Sequence, residues 1–165
     1  GAVSYAFGED KTATTDASNI VSLHAKYATG PLAVAYGYQE ENVTGNTAQK
    51  YHQLSAKYDL GMAAISAGYT KRNGTNATGD DKGFNIGVNV PVGAALNVSA
   101  GYAREEAEIG GNTAAKSAGF GLGATYNMSK RTILYTGFKQ EKTENGAGAE
   151  IAKTRLFGLG VRHNF

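Results

Sequence analysis

Apolar residues recur at every second position in ten short stretches of the chain, and aromatic rings close many of these sets, as in Leu32, Val34, Tyr36 and Tyr38. Such alternation predicts strands, because successive side chains of a strand point to opposite faces. The first strand sets Val3, Tyr5 and Phe7 against Ser4, Ala6 and Gly8, and the second sets Val21, Leu23, Ala25 and Tyr27 against Ser22, His24 and Lys26. Later apolar sets are Leu54, Ala56, Tyr58 and Leu60; Ala63, Ile65, Ala67 and Tyr69; Phe84, Ile86, Val88 and Val90; and Leu96, Val98, Ala100 and Tyr102. They continue with Phe120, Leu122, Ala124 and Tyr126, then Leu134, Thr136 and Phe138, and finally Phe157, Leu159, Val161, His163 and Phe165. Only the ninth strand is ambiguous in its facing, since Ile133 and Tyr135 on its other side are also apolar.

The connections alternate in length. Tight turns are expected at 29–31, 59–62, 91–93 and 127–130, whereas long polar loops are expected from near Glu9 and over 39–49, 71–82, 104–116 and 139–153. Every long loop then emerges at one end of the sheet and every short turn at the other. The rings sort in the same way. Tyr27, Tyr58, Tyr126 and Phe165 fall near the short turns; Tyr36, Tyr38, Tyr69, Phe84, Tyr102, Phe120, Phe138 and Phe157 fall near the long loops. Two aromatic bands flanking aliphatic residues are what two membrane interfaces select, so an antiparallel up-and-down transmembrane β-barrel of about ten strands is expected. Within those bands, Tyr27, Tyr58, Tyr69, Tyr102, Phe120, Tyr126, Phe138 and Phe157 are the expected membrane girdle.

The opposite face is small or polar, with Ser55, Ser66, Asn85, Asn89, Asn97, Ser99, Gly121 and Gly123 among its members. Packed dry against a second sheet, each unpartnered polar group there would cost roughly 1–3 kcal/mol. A water-filled lumen removes that cost. A soluble β-sandwich or lipocalin-like barrel is the competing architecture.

Composition narrows the reading. In 165 residues there is no cysteine, the net charge is +2, and 18% charged with 41% hydrophobic residues suits a barrel with a polar interior better than a helical membrane protein. No run of 18 apolar residues is present to form a membrane helix, and residues 1–10 lack the pattern of a signal peptide, so a mature chain or a fragment is expected. The 23 glycines lie largely inside alternating segments, where they would weaken a helix but leave space inside a barrel.

Candidate chemistry is sparse. His24, His52 and His163 fall on different strands without a carboxylate or cysteine at metal spacing, so no metal or cofactor is expected. Gly119, Gly121 and Gly123 lack the strand-turn-helix setting of a phosphate loop. No histidine occurs in the long loops, which argues against a rim protease or lipase and for a non-enzyme. Asn-X-Ser/Thr triplets at Asn42, Asn73, Asn76, Asn97 and Asn127 would be glycosylation acceptors only in a eukaryotic secreted protein.

Two motifs are more specific than the pattern. The segment YNMSKRT at 126–132, followed by Leu134 and Tyr135, and GLGVRHNF at 158–165 resemble general porins of the Burkholderia, Comamonas and Neisseria type. The preceding hairpins are similar to the later strands of that family, so the resemblance covers most of the chain. It implies a barrel of about sixteen strands, of which these residues are the C-terminal part, a single domain over 1–165; ten strands, an even number, closing alone around a narrow lumen is the other possibility. It also implies an outer-membrane location with Phe165 at the periplasmic rim, contact with outer-membrane lipid and lipopolysaccharide, and a homotrimer when full-length. Gly160, His163 and Phe165 stand at the glycine and ring positions of the signal read by the outer-membrane assembly machinery. His163 replaces the more usual aromatic, and Gly158 stands where a polar residue is usual.

The expected function is a water-filled channel for passive diffusion of small hydrophilic solutes and ions, with no nucleic-acid partner. Inward charges at His24, Lys26, Lys57, Arg72, Lys139 and Arg162 outnumber Asp59 and Glu141, which gives an expected weak anion preference. A structural or adhesin barrel without an open pore is the alternative.

Overall fold

A computed structural model of the chain describes residues 1–7, 18–42, 49–74 and 79–165. Ten strands make one antiparallel meander in which each pairs only with its sequence neighbours. They are β1 (Ala2–Phe7), β2 (Asn19–Thr29), β3 (Leu32–Asn42), β4 (Gln49–Asp59), β5 (Ala64–Asn73), β6 (Asp80–Val92), β7 (Leu96–Ile109), β8 (Asn112–Asn127), β9 (Thr132–Asn145) and β10 (Glu150–His163). Among the described residues, β1 and β10 make no contact with one another, so the wall they form is open along those two edges.

Two expected loops prove to be mostly strand. Residues 104–116 continue β7 and β8 up to a two-residue turn at Gly110 and Gly111, and 139–153 continue β9 and β10 to a turn over 146–149. Residues 71–73 and 80–82 of the third expected loop belong to β5 and β6, and 39–42 belong to β3. The polar residues there keep period two and pair across strands, so polarity marked departure from an apolar surrounding and not the end of pairing. Leu60 and Ala63, expected in strands, lie in the β4–β5 turn, while Pro91 and Val92 extend β6. The expected loop near Glu9, Gly8 of the first strand, and residues 43–48 and 75–78 lie outside the described residues.

Turn chemistry follows from backbone geometry. Gly30, Gly61 and Gly93 hold positive φ at the short turns (51°, 80° and 64°), and Gly110 and Gly111 do so at the β7–β8 tip (59° and 79°), the region that a hairpin turn with right-handed strand twist demands. The β8–β9 turn uses a side chain instead. Ser129 Oγ accepts from the backbone N–H groups of Arg131 and Thr132, each at 3.1 Å.

Register also gives the lean of the strands. One row of partners runs Tyr58, Ile65, Val88, Ala100, Leu122, Phe138 and Phe157. Tyr58 is one residue from the short-turn end of its strand, and Phe138 is six from the start of its own. The row therefore climbs roughly one residue per strand, a lean of about 35° at 3.3 Å per residue and 4.8 Å per strand. That is the tilt of a barrel wall.

Candidate functional site: a two-faced wall

Directly paired residues share a face, so the ladders assign every side chain to one side of the wall. Leu23, Val34, Ala56, Ile65, Ile86, Val98, Leu122, Leu134 and Leu159 lie on one face; Ser22, Gln53, Ser66, Asn85, Ser99, Gly121 and Gly137 lie on the other. The ambiguous strand is resolved. Tyr135 pairs with Thr125 and Gly160 on the polar face, which leaves Leu134, Thr136 and Phe138 on the apolar one.

No hydrophobic side chain among the described residues is buried. Leu122 is 53% exposed and Leu159 75%. A contiguous apolar face of this extent is not tolerated by water and requires an apolar neighbour. Among the described residues, no second layer covers it.

All eight expected girdle residues, Tyr27, Tyr58, Tyr69, Tyr102, Phe120, Tyr126, Phe138 and Phe157, lie on the apolar face. From Tyr126 to Phe120 is about 20 Å along the strand, with Ala124 and Leu122 between. Rings of neighbouring strands meet in the band farther from the short turns: Phe84 and Tyr102 have centroids 6.0 Å apart, as do Phe120 and Phe138. His52 joins the same band. Its Nδ1 lies 2.8 Å from Tyr36 Oη and its ring 5.0 Å from that of Tyr38.

Beyond that band the apolar face gives way to ion pairs. Lys82 meets Glu108, Lys116 meets Glu106 at 3.6 Å, and Lys142 meets Glu144 at 2.6 Å and Glu150 at 3.5 Å. Glu106 also accepts from Thr113 Oγ1 at 2.7 Å, which with Lys116 holds its carboxyl below the usual range. Lys142 does the same for Glu144.

The polar face carries every charge expected there: His24, Lys26, Lys57, Asp59, Arg72, Lys139 and Arg162, with Glu141. It also carries Glu41, Asp81 and Glu105, which were placed in loops on sequence. Each stands three residues beyond an outward ring, Tyr38, Phe84 or Tyr102, so period two carried onward whatever the polarity is the signal that locates them. Leaving histidine aside, this face thus carries five cations and five carboxylates among the described residues. Arg72 Nε donates to Asp81 and Lys139 lies 3.3 Å from Glu141. The face is recessed: one hollow is lined by Ser66, Asn85, Glu105, Ser117, Lys139 and Glu141, and a second by His24, Gln53, Arg72 and Asp81.

At the C-terminus the two sequence motifs form one unit. Thr132 Oγ1 lies 2.9 Å from His163 Nδ1, Asn164 N–H donates to Arg131 O at 2.9 Å, and the rings of His163 and Phe165 meet edge-on at 5.0 Å. Gly160 lies under Tyr135, whose ring occupies the space a β-carbon would need. Among the described residues no group of histidines or carboxylates is arranged to hold a metal ion, and the three histidines stand on separate strands.

Residues 1–146 match the family described as Gram-negative porin. An outer membrane porin protein of Bordetella pertussis is 35% identical over 82 residues, which are 50% of this chain and 20% of that protein. Among solved structures, a refined porin superposes with a TM-score of 0.74 at 18% identity, covering 99% of this chain and 57% of that one. OmpT, an outer membrane protein of Vibrio cholerae folded in vitro, does so with a TM-score of 0.73 at 20% identity, covering 96% and 58%. The chain therefore spans little more than half the length of these structural relatives and a fifth of the curated one.

Proposed function

The chain belongs to the Gram-negative porin family, and on that premise we propose that its ten strands are part of the wall of an outer-membrane channel through which small hydrophilic solutes and ions diffuse passively. The observation that carries this is the two-faced single layer: a continuous apolar face with no protein cover, backed by a polar, recessed face. Lipid satisfies the first and water the second. Diffusion through such a tube needs no reaction, and we assign none. Since β1 and β10 do not meet, the channel is completed by strands additional to these ten.

Orientation and partners follow from the same reading. The short turns and Phe165 face the periplasm, the ion-paired hairpins stand outside, and the outward cations above the upper girdle meet the phosphates of outer-membrane lipid and lipopolysaccharide. Gly160, His163 and Phe165 are offered to the assembly machinery at an accessible end, Phe165 being fully exposed. A trimer form has been described for the Vibrio cholerae relative, and a homotrimer is proposed here. Anion preference is proposed for the short-turn half of the lumen, where Lys26, Lys57 and Arg162 lie.

The test is stepwise conductance of the purified full-length protein in planar bilayers, with sugar uptake by liposomes as a second readout. Channels that pass sugars support the reading. Folded protein in the bilayer that carries no current would instead favour a structural or adhesin barrel.

A further inference from the structure

Charge on the polar face is unevenly placed along the strands. Lys26, Lys57, Arg162 and Asp59 lie within three residues of the short turns, so cations exceed carboxylates by two at that end. Exposed Lys130 and Arg131 in the adjoining turn strengthen the excess. Among the described residues, Glu41, Asp81, Glu105 and Glu141 stand seven or more residues from those turns with Arg72 and Lys139, so carboxylates exceed cations there by two. The centres of the two zones are about 20 Å apart along the strands, which is beyond the Debye length of about 10 Å at 0.1 M salt. Each zone therefore sets its own local ion population.

We propose that this separation makes the channel rectify, passing more current when the loop end is positive than when the short-turn end is. The inference rests on the channel reading above and adds a direction to it. With the loop end positive, cations are driven in through the carboxylate-rich zone and anions through the lysine-rich zone. Each enters where the wall attracts it, and carriers accumulate in the lumen. With the field reversed, each must enter through the zone that repels it, and the lumen is depleted. The same polarity favours entry of anionic solutes from the periplasmic mouth and cationic ones from outside.

The experiment uses the full-length protein in planar bilayers. Orientation is fixed by a cysteine introduced at Ala147, in the β9–β10 turn at the loop end, and labelled from one side with a membrane-impermeant thiol reagent. The expected ratio of currents at equal and opposite voltages is about twofold at 0.1 M salt, falling to near one at 1 M, where the Debye length is about 3 Å. Replacing Lys26→Glu with Lys57→Glu, or independently Glu41→Gln with Glu105→Gln, brings the low-salt ratio towards one. Open channels with symmetric current at 0.1 M overturn the proposal and leave the channel reading standing. So does an asymmetry that survives both 1 M salt and both sets of substitutions. Absence of any conductance from folded protein overturns the two together.

Discussion

Gly160 and Tyr135 face each other across the last strand pair, with the tyrosine ring lying over the glycine. A glycine inside a strand exposes backbone and has no side chain to pack, and an aromatic ring on the partner strand compensates. Removing either alone disturbs an arrangement that needs both. Tyr135→Ala is expected to destabilise the folded wall, and Gly160→Ala to displace the ring. The double substitution should then cost about 0.5–1 kcal/mol less than the sum of the two, the range of a cross-strand pair. Urea titration of the folded protein in liposomes measures this, and strict additivity would reject the coupling. The glycine was recognisable from its place in the terminal motif, but its partner was not, because period two alone does not say which side of β9 is wet. Only the pairing of Tyr135 with Gly160 and Thr125 settles that.

The elements show where sequence pattern served well and where it misled. Strands through the apolar band were legible because each outward residue is apolar and each inward one small or polar, from Leu32 to Tyr38 and from Phe120 to Tyr126. Their extensions were not, since beyond the band both faces meet water and the alternation of polarity disappears although the pairing continues. Glu41, Asp81 and Glu105 were missed for that reason. The β7–β8 hairpin makes the point testable. Gly110 and Gly111 hold positive φ, so Gly111→Val is expected to cost about 1–2 kcal/mol, seen as faster amide exchange from Glu105 to Thr113 with the girdle rows unchanged. Acid should loosen the same tip. Glu106 is held below the usual carboxylate range by the Thr113 hydroxyl and then Lys116. The folded value lies under the unfolded one, so its stabilising contribution is complete above the ordinary glutamate range and lost as pH falls through the depressed value. Protection of these amides, corrected for intrinsic exchange, should drop over that interval, and Glu106→Gln should flatten the dependence. A profile unaltered by that substitution would remove Glu106 from the account.

At the scale of the whole molecule, which side meets lipid is the decisive question. Leu122 lies between the two aromatic bands on the apolar face and Thr125 near it on the polar face. Arginine in place of Leu122 should cost about 2–4 kcal/mol of folding free energy in a bilayer, whereas Thr125→Arg should be tolerated and change conductance instead. The opposite ranking, measured by denaturant titration in liposomes, would turn the wall inside out. Alternation, girdles and end-to-end polarity made this architecture visible from the chain alone. The open edges could not be read from that pattern, because pairing between the first and last strands leaves no local trace in either; only the family resemblance pointed to them. The ion-paired hairpins have a further consequence for whatever arrives from outside. From Tyr102 to Ile109 the β7–β8 ribbon rises about 20 Å past the upper rings, stiffened by Lys116 with Glu106 and capped by two glycines. In the orientation proposed above, a large particle approaching the cell surface meets upright staves at this hairpin.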